Sequence, residues 1–234
     1  MITVIFCAII LFYSIVFHEI AHGYAAYRNG DMTAFSAGRL TLNPIKHIDF
    51  IGSIIVPLLA YKFFGFAFGW AKPVPYNPNN LKNKKYGELQ VASAGVLTNF
   101  FIAFISLFIF YTLKHYYFVS SDLKDILVFI VTVNIFLGLF NLLPFPPADG
   151  FSIFSELASL SRNFFLGIRN LFSSKKIYKP EYKVENSNIR NWSFYIKSLF
   201  SNPFMMIGII FVAVQVFGFL VPYILSFINF LFSF

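Results

Sequence analysis

Long apolar stretches, separated by short polar segments, are the main pattern along this 234-residue chain. Four of them, at 1–27, 89–113, 125–143 and 203–232, approach or exceed the roughly 20 residues that a helix needs to cross a bilayer core of about 30 Å. Hydrophobic residues make up 58% of the sequence and charged residues 12%, against about 25% in a soluble domain. The pattern predicts an all-α, polytopic integral membrane protein, with residues 1–234 forming a single membrane-embedded domain.

A fifth apolar stretch, at 51–70, has features that weaken a straight spanning helix. Lys62 lies near its middle, and Pro57 and Gly65 interrupt it. We therefore expect this segment to re-enter the membrane or to lie in its interface. The first stretch lacks a basic region ahead of its apolar part, so we expect it to be retained rather than removed as a signal peptide.

The basic residues lie between the apolar stretches and therefore report topology. Eight Lys and Arg fall between positions 28 and 85, two between 114 and 124, and eight between 162 and 197. With four crossings and the N-terminus outside, sixteen basic residues lie inside and two outside, as the positive-inside rule prefers. The net charge of +8 is thus explained without a nucleic-acid partner. The same topology makes residues 162–200 a basic cytoplasmic loop and 203–232 a C-terminal membrane segment.

Three shorter segments depart from the spanning pattern. Residues 35–42 have extended character, and residues 71–80 contain three prolines, which exclude a regular helix. We expect these two pieces to form a small membrane-associated β element. Residues 151–172 interleave apolar and polar side chains, a pattern typical of an amphipathic helix at the membrane interface.

The sequence His18-Glu19-Ile20-Ala21-His22 lies within the first apolar stretch. On a helix, His18 and His22 are one turn apart on the same face, where two imidazoles can bind one Zn²⁺ while Glu19 serves as general base. The alternative is a structural polar cluster, but three ionisable residues within five positions at membrane depth are costly unless something binds or pairs them. The single cysteine, Cys7, excludes a cysteine-based zinc site.

A catalytic zinc site usually has three protein ligands and an open position, so one more ligand is needed. Asp149 is the best remaining carboxylate, because it follows the proline cluster that ends the stretch 125–143. Its negative charge offsets that of Zn²⁺ in a medium of low dielectric constant. The alternative role for Asp149 is to cap a helix that begins near Gly150.

Asparagines on two of the apolar stretches add polar groups to the predicted core. Asn134 and Asn141 share one helical face with Gly138, which we expect to point inward. Asn134 fits an interhelical hydrogen bond, and we prefer the same structural role for Asn99. Asn141 has two interpretations, the same structural role or donation to the oxyanion that develops during peptide hydrolysis.

These residues lie in stretches that together resemble the site-2 protease family of intramembrane zinc metalloproteases, in particular its small bacterial members without PDZ or CBS domains. The similar stretches are FHEIAHG at 17–23, LNPIKHID at 42–49, FGWAKPVPYNP at 68–78, SAGVLTN at 93–99 and NLLPFPPADG at 141–150. Because they follow the family's order, the resemblance implies that residues 1–150 form the catalytic core.

The resemblance implies a three-helix core in which His18, His22 and Asp149 hold one zinc ion per chain and Glu19 activates water. It implies an endopeptidase of the bacterial inner membrane that opens toward the cytoplasm and cuts membrane proteins in or near a transmembrane helix. The alternative is an inactive homologue that binds membrane helices as an adaptor or chaperone, although an adaptor has no need of Glu19. A zinc-handling transporter would need a polar path through several helices, whereas these polar residues gather at one depth.

Overall fold

The architecture is that of a computed structural model, which describes residues 2–64, 69–144, 148–171 and 218–233. The chain divides into two compact units, Met1–Ile153 and Phe154–Phe234. The prediction of one membrane-embedded domain over the whole chain stays a prediction.

The described residues form seven α-helices. In chain order they are α1 (Ile2–Arg28), α2 (Thr33–Ser36), α3 (Val56–Phe64), α4 (Gly87–Tyr116), α5 (Ser121–Asn141), α6 (Asp149–Leu171) and α7 (Gly218–Leu231). Within this described part of the chain, the segments Ile5–Arg28, Gly87–Tyr116 and Ser121–Asn141 are long and apolar enough to cross a membrane. The predicted helical membrane architecture is therefore confirmed, with three such helices.

Helices α1, α4 and α5 pack against one another in pairs and form the core of the first unit. The buried face of α4 repeats at four-residue intervals through Val91, Gly95 and Asn99. On α5, the buried Gly138 lies against the ring of Phe100, where a β-carbon would come within 2.9 Å of ring atoms. Lipid gives helices little hydrophobic drive to associate, so small residues and polar links at such contacts determine how closely they approach.

The predicted β element is not found. No strand occurs among the residues that the structure describes, because residues 33–36 form the short helix α2 and residues 71–77 have no strand partner. Pro73 and Pro75 have no backbone N–H to contribute to a ladder. The N–H of Val74, which lies between them, donates to a side chain on α1 instead. The prolines were correctly expected to exclude a regular α-helix at 71–80, where residues 71–77 are irregular and Pro78–Asn80 form a single 3-10 turn; the pairing into a sheet was wrong.

The apolar stretch 51–70 folds back on itself. Its helical part, Ile51–Phe63, begins with a π-helical turn at Ile51–Ile55 and is too short to span a bilayer. The N–H of Trp70 donates to the carbonyl of Gly52 at 3.0 Å, and the indole of Trp70 occupies the space that a side chain at position 52 would need. This shape agrees with a segment that does not cross, and its depth in the membrane stays a prediction.

The structure describes only some of the predicted C-terminal elements. Helix α6 occupies the segment that the amphipathic pattern predicts, and α7 covers the last part of the stretch 203–232. Of the basic loop predicted at 162–200, residues 162–171 belong to α6 instead, because the amphipathic pattern continues to Leu171. Residues 172–200 and 203–217 lie outside the described residues, so the rest of the loop and the C-terminal membrane segment stay predictions.

Candidate metal centre

Three side chains from α1 and the start of α6 converge on one point. His18 and His22 lie one turn apart on α1, and Asp149 is the first residue of α6. The two histidine Nε2 atoms are 3.0 Å apart, and each lies 3.2 Å from Oδ2 of Asp149. Over the described ranges, this is the one group of three or more potential metal ligands drawn from His, Cys, Asp and Glu.

The sequence around Asp149 explains how the carboxylate reaches the histidines. Helix α5 ends at Asn141, just before the prolines, and the chain then turns into α6. Gly150 lies so close to the backbone of Leu142 and Leu143 that a β-carbon would be 2.5 Å from the carbonyl oxygen of Leu143. Glycine permits this close approach of two backbone segments. The turn therefore fixes the residue next to it, Asp149, beside α1.

One face of α4 holds both imidazole rings. The Nδ1 atom of His22 lies 2.7 Å from the carbonyl oxygen of Val91, and Nδ1 of His18 lies 2.6 Å from Oδ1 of Asn99. Gly95 is midway between these two positions, and a β-carbon there would collide with both rings. The two acceptors lie one helical turn to either side of Gly95 on α4, so each ring of α1 has its own acceptor.

The acceptors on α4 fix the protons of both rings. A backbone carbonyl only accepts, so Nδ1 of His22 donates to Val91 and the neutral ring leaves Nε2 with a free electron pair. His18 faces an amide oxygen in the same way. Oδ2 of Asp149 is buried and has no hydrogen-bond partner among the described residues. Three electron-pair donors thus face one another, and one cation can contact all three, whereas one proton bridges only one pair at a time.

The charge of Asp149 completes the donor set. Burial opposes its ionisation, but hydrogen bonds and positive charge from His18 and His22, when a ring carries a proton on Nε2, outweigh burial and lower the pKa of Asp149 to about 2; a bound cation would supply positive charge at the same place. The carboxyl group is therefore ionised at neutral pH. A divalent cation bound to two neutral imidazoles and this carboxylate leaves a net charge of +1 in a largely buried site.

The donor set fits zinc in type and in spacing. Nitrogen and carboxylate ligands bind tetrahedral Zn²⁺ at about 2.0–2.2 Å, which places neighbouring ligand atoms about 3.3 Å apart. The observed separations of 3.0 and 3.2 Å are close to that value. Three protein ligands leave one position open for water or substrate, as in catalytic rather than structural zinc sites.

Glu19 lies between the two histidines in sequence and is held by the extended segment 71–77. Its Oε2 atom accepts a hydrogen bond of 2.8 Å from the backbone N–H of Val74. Pro73 and Pro75 have no N–H, so Val74 supplies the one backbone donor of these three residues. Packing supports the contact, because a β-carbon at Gly23 would come within 2.7 Å of the Val74 side chain.

The end of the same segment is tied to the residues that follow α1. Asp31 is fully buried, and its carboxylate accepts hydrogen bonds from the N–H and hydroxyl of Thr33, the N–H of Asn77 and the side-chain amide of Asn80. Burial alone raises the pKa of Asp31, but these hydrogen bonds lower it below its ordinary value. Asp31 thus anchors the segment that carries Val74.

The structure brings His18, His22 and Asp149 together and places the asparagines differently. Asn99 contacts His18 directly, and Asn134 contacts Asn99 with its Oδ1 atom 3.0 Å from Nδ2. The side-chain amide of Asn141 donates to the carbonyl of Leu137 within α5, at 3.0 Å. The predicted oxyanion role of Asn141 is not tested by this arrangement and stays a prediction.

Sequence reasoning missed two contributors to the site. Gly95 lies in the stretch SAGVLTN, but the sequence does not show that its missing side chain leaves room for two imidazole rings. That room depends on how α1 packs against α4. Val74 acts through its backbone, and its side chain gives no sign of this role. The alternation Pro73-Val74-Pro75 was a usable signal, since it leaves one isolated N–H that must find an acceptor.

Fold and site together describe a helical protein with membrane-spanning segments, in which His18, His22 and Asp149 could hold a metal ion and Glu19 lies between the two histidines in sequence. The family model described as "Peptidase family M50" matches residues 117–170, a range that includes Asp149. The "Putative zinc metalloprotease YwhC" of Bacillus subtilis (strain 168) is 40% identical over 158 residues, which cover 65% of this chain and 68% of that protein. No solved structure matches the chain.

The chain belongs to peptidase family M50, the site-2 protease family. The resemblance found in the sequence motifs is thereby confirmed. Membership makes the chain a membrane metalloprotease homologue at the level of the family and implies zinc as the metal.

Proposed function

We propose that this protein is a zinc-dependent intramembrane endopeptidase that hydrolyses peptide bonds in or near the transmembrane segments of other membrane proteins. One observation carries the proposal: the electron pairs of His18, His22 and Asp149 converge within 3.0–3.2 Å, and the carboxylate of Glu19 is held on the same helix. A structural zinc site has no use for the open position or for the neighbouring glutamate.

The roles follow from the chemistry of the side chains. His18, His22 and Asp149 would hold one zinc ion per chain. When bound, zinc lowers the pKa of a coordinated water and polarises the peptide carbonyl. Glu19 takes the proton from the attacking water and delivers it to the leaving amine, the usual task of a general base that turns into a general acid. The hydrogen bond from Val74 keeps the carboxylate of Glu19 in one orientation during both steps.

The position of the centre along α1 supports cleavage near one membrane surface. His22 is six residues from Arg28 at the end of α1, which corresponds to about 9 Å along a helix. Val91, which accepts a hydrogen bond from His22, is four residues from the start of α4, and that start follows three lysines within residues 82–85. The centre thus lies inside the apolar layer but close to its basic edge. By the positive-inside rule that edge is cytoplasmic, and we propose a bacterial inner membrane location with the site open to the cytoplasm.

The substrate class follows from the surroundings of the centre. A transmembrane helix has all its backbone groups bonded internally, so it must unwind locally before a carbonyl can reach the metal. An active site near the membrane edge reduces this demand, because helix ends fray more easily than helix centres. We therefore propose membrane proteins with a transmembrane helix as substrates and the lipid bilayer as the working environment.

The decisive test replaces Glu19 with Gln. It compares cells in which the native copy of this protein has been replaced by either the wild-type or the Glu19→Gln chain. Mass spectrometry of new protein termini in the membrane fraction should find cuts within or beside transmembrane segments with wild type and none with Glu19→Gln. Zinc content measured on both purified proteins should remain near one per chain. Identical termini in both cells would refute the general-base mechanism and favour the adaptor alternative.

A further inference from the structure

A chain of buried polar side chains links the metal centre to all three core helices. It runs from Nδ1 of His18 on α1 to Oδ1 of Asn99 on α4, at 2.6 Å, and from Nδ2 of Asn99 to Oδ1 of Asn134 on α5, at 3.0 Å. It returns to α1 through a 3.0 Å hydrogen bond from Nδ2 of Asn134 to Oγ of Ser14. Asn99 and Asn134 are fully buried and Ser14 nearly so.

The chain has one possible direction of hydrogen bonding. The hydroxyl of Ser14 donates to the carbonyl of Ile10 at 2.9 Å, so its oxygen accepts from Asn134. The second N–H of the Asn134 amide donates to the carbonyl of Ile130 at 2.9 Å, which leaves Oδ1 as the acceptor for Asn99. Because the donors of Ser14 and Asn134 both end on backbone carbonyls, which only accept, the orientation of each amide is fixed from that end of the network. Asn99 is left with its oxygen toward His18.

We propose that Asn99 and Asn134, together with Ser14, are positioning residues that fix the tautomer and ring orientation of His18. The proposal rests on the proposed function, in which His18 is a metal ligand. With Nδ1 committed as donor, Nε2 keeps its electron pair and faces His22 and Asp149. A metal-bound histidine commonly donates its other N–H to an oxygen in this way, and loss of that partner costs roughly 10- to 100-fold in metal affinity.

Interhelical adhesion alone does not account for the arrangement. Two asparagines hydrogen-bonded to each other would already link α4 and α5. Here the link continues at one end to a metal-ligating ring and at the other to a serine on the same helix as that ring. The position of α1 relative to α4 and α5 therefore determines the direction in which His18 points.

The test measures the zinc dissociation constant of the full chain, purified in detergent, by competition with a chromophoric chelator. Asn99→Leu removes the acceptor at similar volume, and we expect zinc binding roughly 10- to 100-fold weaker than in wild type. Asn99→Asp retains an acceptor for His18 but replaces the donor to Asn134 with an oxygen, so we expect its zinc affinity to lie between those of Asn99→Leu and wild type. Equal losses in both variants, or no loss in Asn99→Leu, would overturn the proposal.

A matched pair of serines tests the far end of the network. Ser14 and Ser106 are both buried, and each donates its hydroxyl to the carbonyl four residues earlier at 2.9 Å. In addition, Ser14 accepts from Asn134. We therefore expect Ser14→Ala to weaken zinc binding and Ser106→Ala to leave it within about twofold of wild type. If Asn99→Leu does not fold, the comparison of Ser14→Ala with Ser106→Ala tests the proposal in its place. Equal zinc affinities in these two variants would overturn the proposal.

The melting temperature of each metal-free variant provides the second readout. A role in packing alone lowers this temperature without changing the zinc affinity of the folded protein, and that outcome also overturns the proposal. A wild-type chain that binds no zinc would refute the proposed function and with it this inference. Zinc bound by wild type and Asn99→Leu alike would refute the inference alone.

Discussion

Gly95 is the position where one added methyl group tests the geometry of the metal centre most directly. A β-carbon there would lie 2.6 Å from Cε1 and 2.7 Å from Nδ1 of His18, and closer still to Nε2 of His22. Ordinary van der Waals contact begins at 3.4 Å, so the distance to Nδ1 is about 0.7 Å too short. Gly95→Ala therefore forces α4 or both rings to move.

The rings have little freedom to move. His18 is hydrogen-bonded to Asn99 and His22 to Val91, both on α4, so a ring displaced from Gly95 weakens the bond that orients it. Adding a methylene to a packed core costs about 1–3 kcal/mol. If the rings give way, that cost appears as a loss of zinc affinity of roughly 5- to 150-fold. The ligand distances in a zinc site tolerate about 0.2 Å, so we expect the upper half of this range.

The assay is zinc competition with a chelator, combined with thermal unfolding of the metal-free protein. Alanine favours helix over glycine by about 1 kcal/mol, so we expect a small change in the stability of the metal-free variant beside a large loss of zinc affinity. Gly87→Ala on the same helix is the matched control, because a β-carbon there meets the side chain of Leu81 at 3.2 Å and no metal ligand. Zinc affinity within twofold of wild type in Gly95→Ala would refute the packing of α4 against the rings.

Three further predictions concern the surroundings of the centre. Val74→Pro removes the N–H that orients Glu19, and a hydrogen bond to a charged group is worth about 1.5–3 kcal/mol. We therefore expect the peptidase activity of Val74→Pro to fall more than tenfold while zinc stays bound. Val74→Ala keeps the N–H and should lose less activity. The lowered pKa of Asp31 means that its contribution to stability is present above the ordinary carboxyl pKa near 3.9 and is lost as the pH falls through the lowered value. The melting temperature should therefore drop more steeply below pH 4 in wild type than in Asp31→Asn, and parallel curves would contradict the role of this carboxylate. Zinc removal should speed hydrogen exchange at the start of α6 and leave residues 91–99 of α4 unchanged, because α4 retains its bonds to both histidines while Asp149 loses its ligand.

Much of the centre could be predicted from sequence, because its ligands obey helical spacing. His18 and His22 are four residues apart on a helix, a separation that fixes their side chains on one face whatever the rest of the chain does. Asp149 is different, since only the proline-rich break after α5 and the small size of Gly150 bring it back to α1. The resemblance to the site-2 protease family supplied what helical spacing could not.

The wrong prediction of a β element has a physical cause. Extended backbone was inferred from prolines, and prolines also remove the N–H groups that a ladder needs. The single donor left at Val74 then found a side chain, Glu19, rather than a neighbouring strand. Local sequence predicts backbone conformation here but not the acceptor, because the acceptor belongs to a helix about 50 residues earlier and is set by tertiary packing.

The same packing explains how a metal site can be prepared within a membrane. Helices surrounded by lipid associate without a strong hydrophobic drive, so their mutual positions depend on close contacts and polar links. In this protein polar links from α4 end on the two histidines of the candidate centre, and a close contact, at Gly95, lies between them. The contacts that bring α1 and α4 together are therefore also the contacts that orient the two histidines. Asp149 brings to this pair a buried oxygen, Oδ2, that has no hydrogen-bond partner among the described residues. The centre thus combines two imidazoles oriented by α4 with one carboxylate that a bound cation would pair.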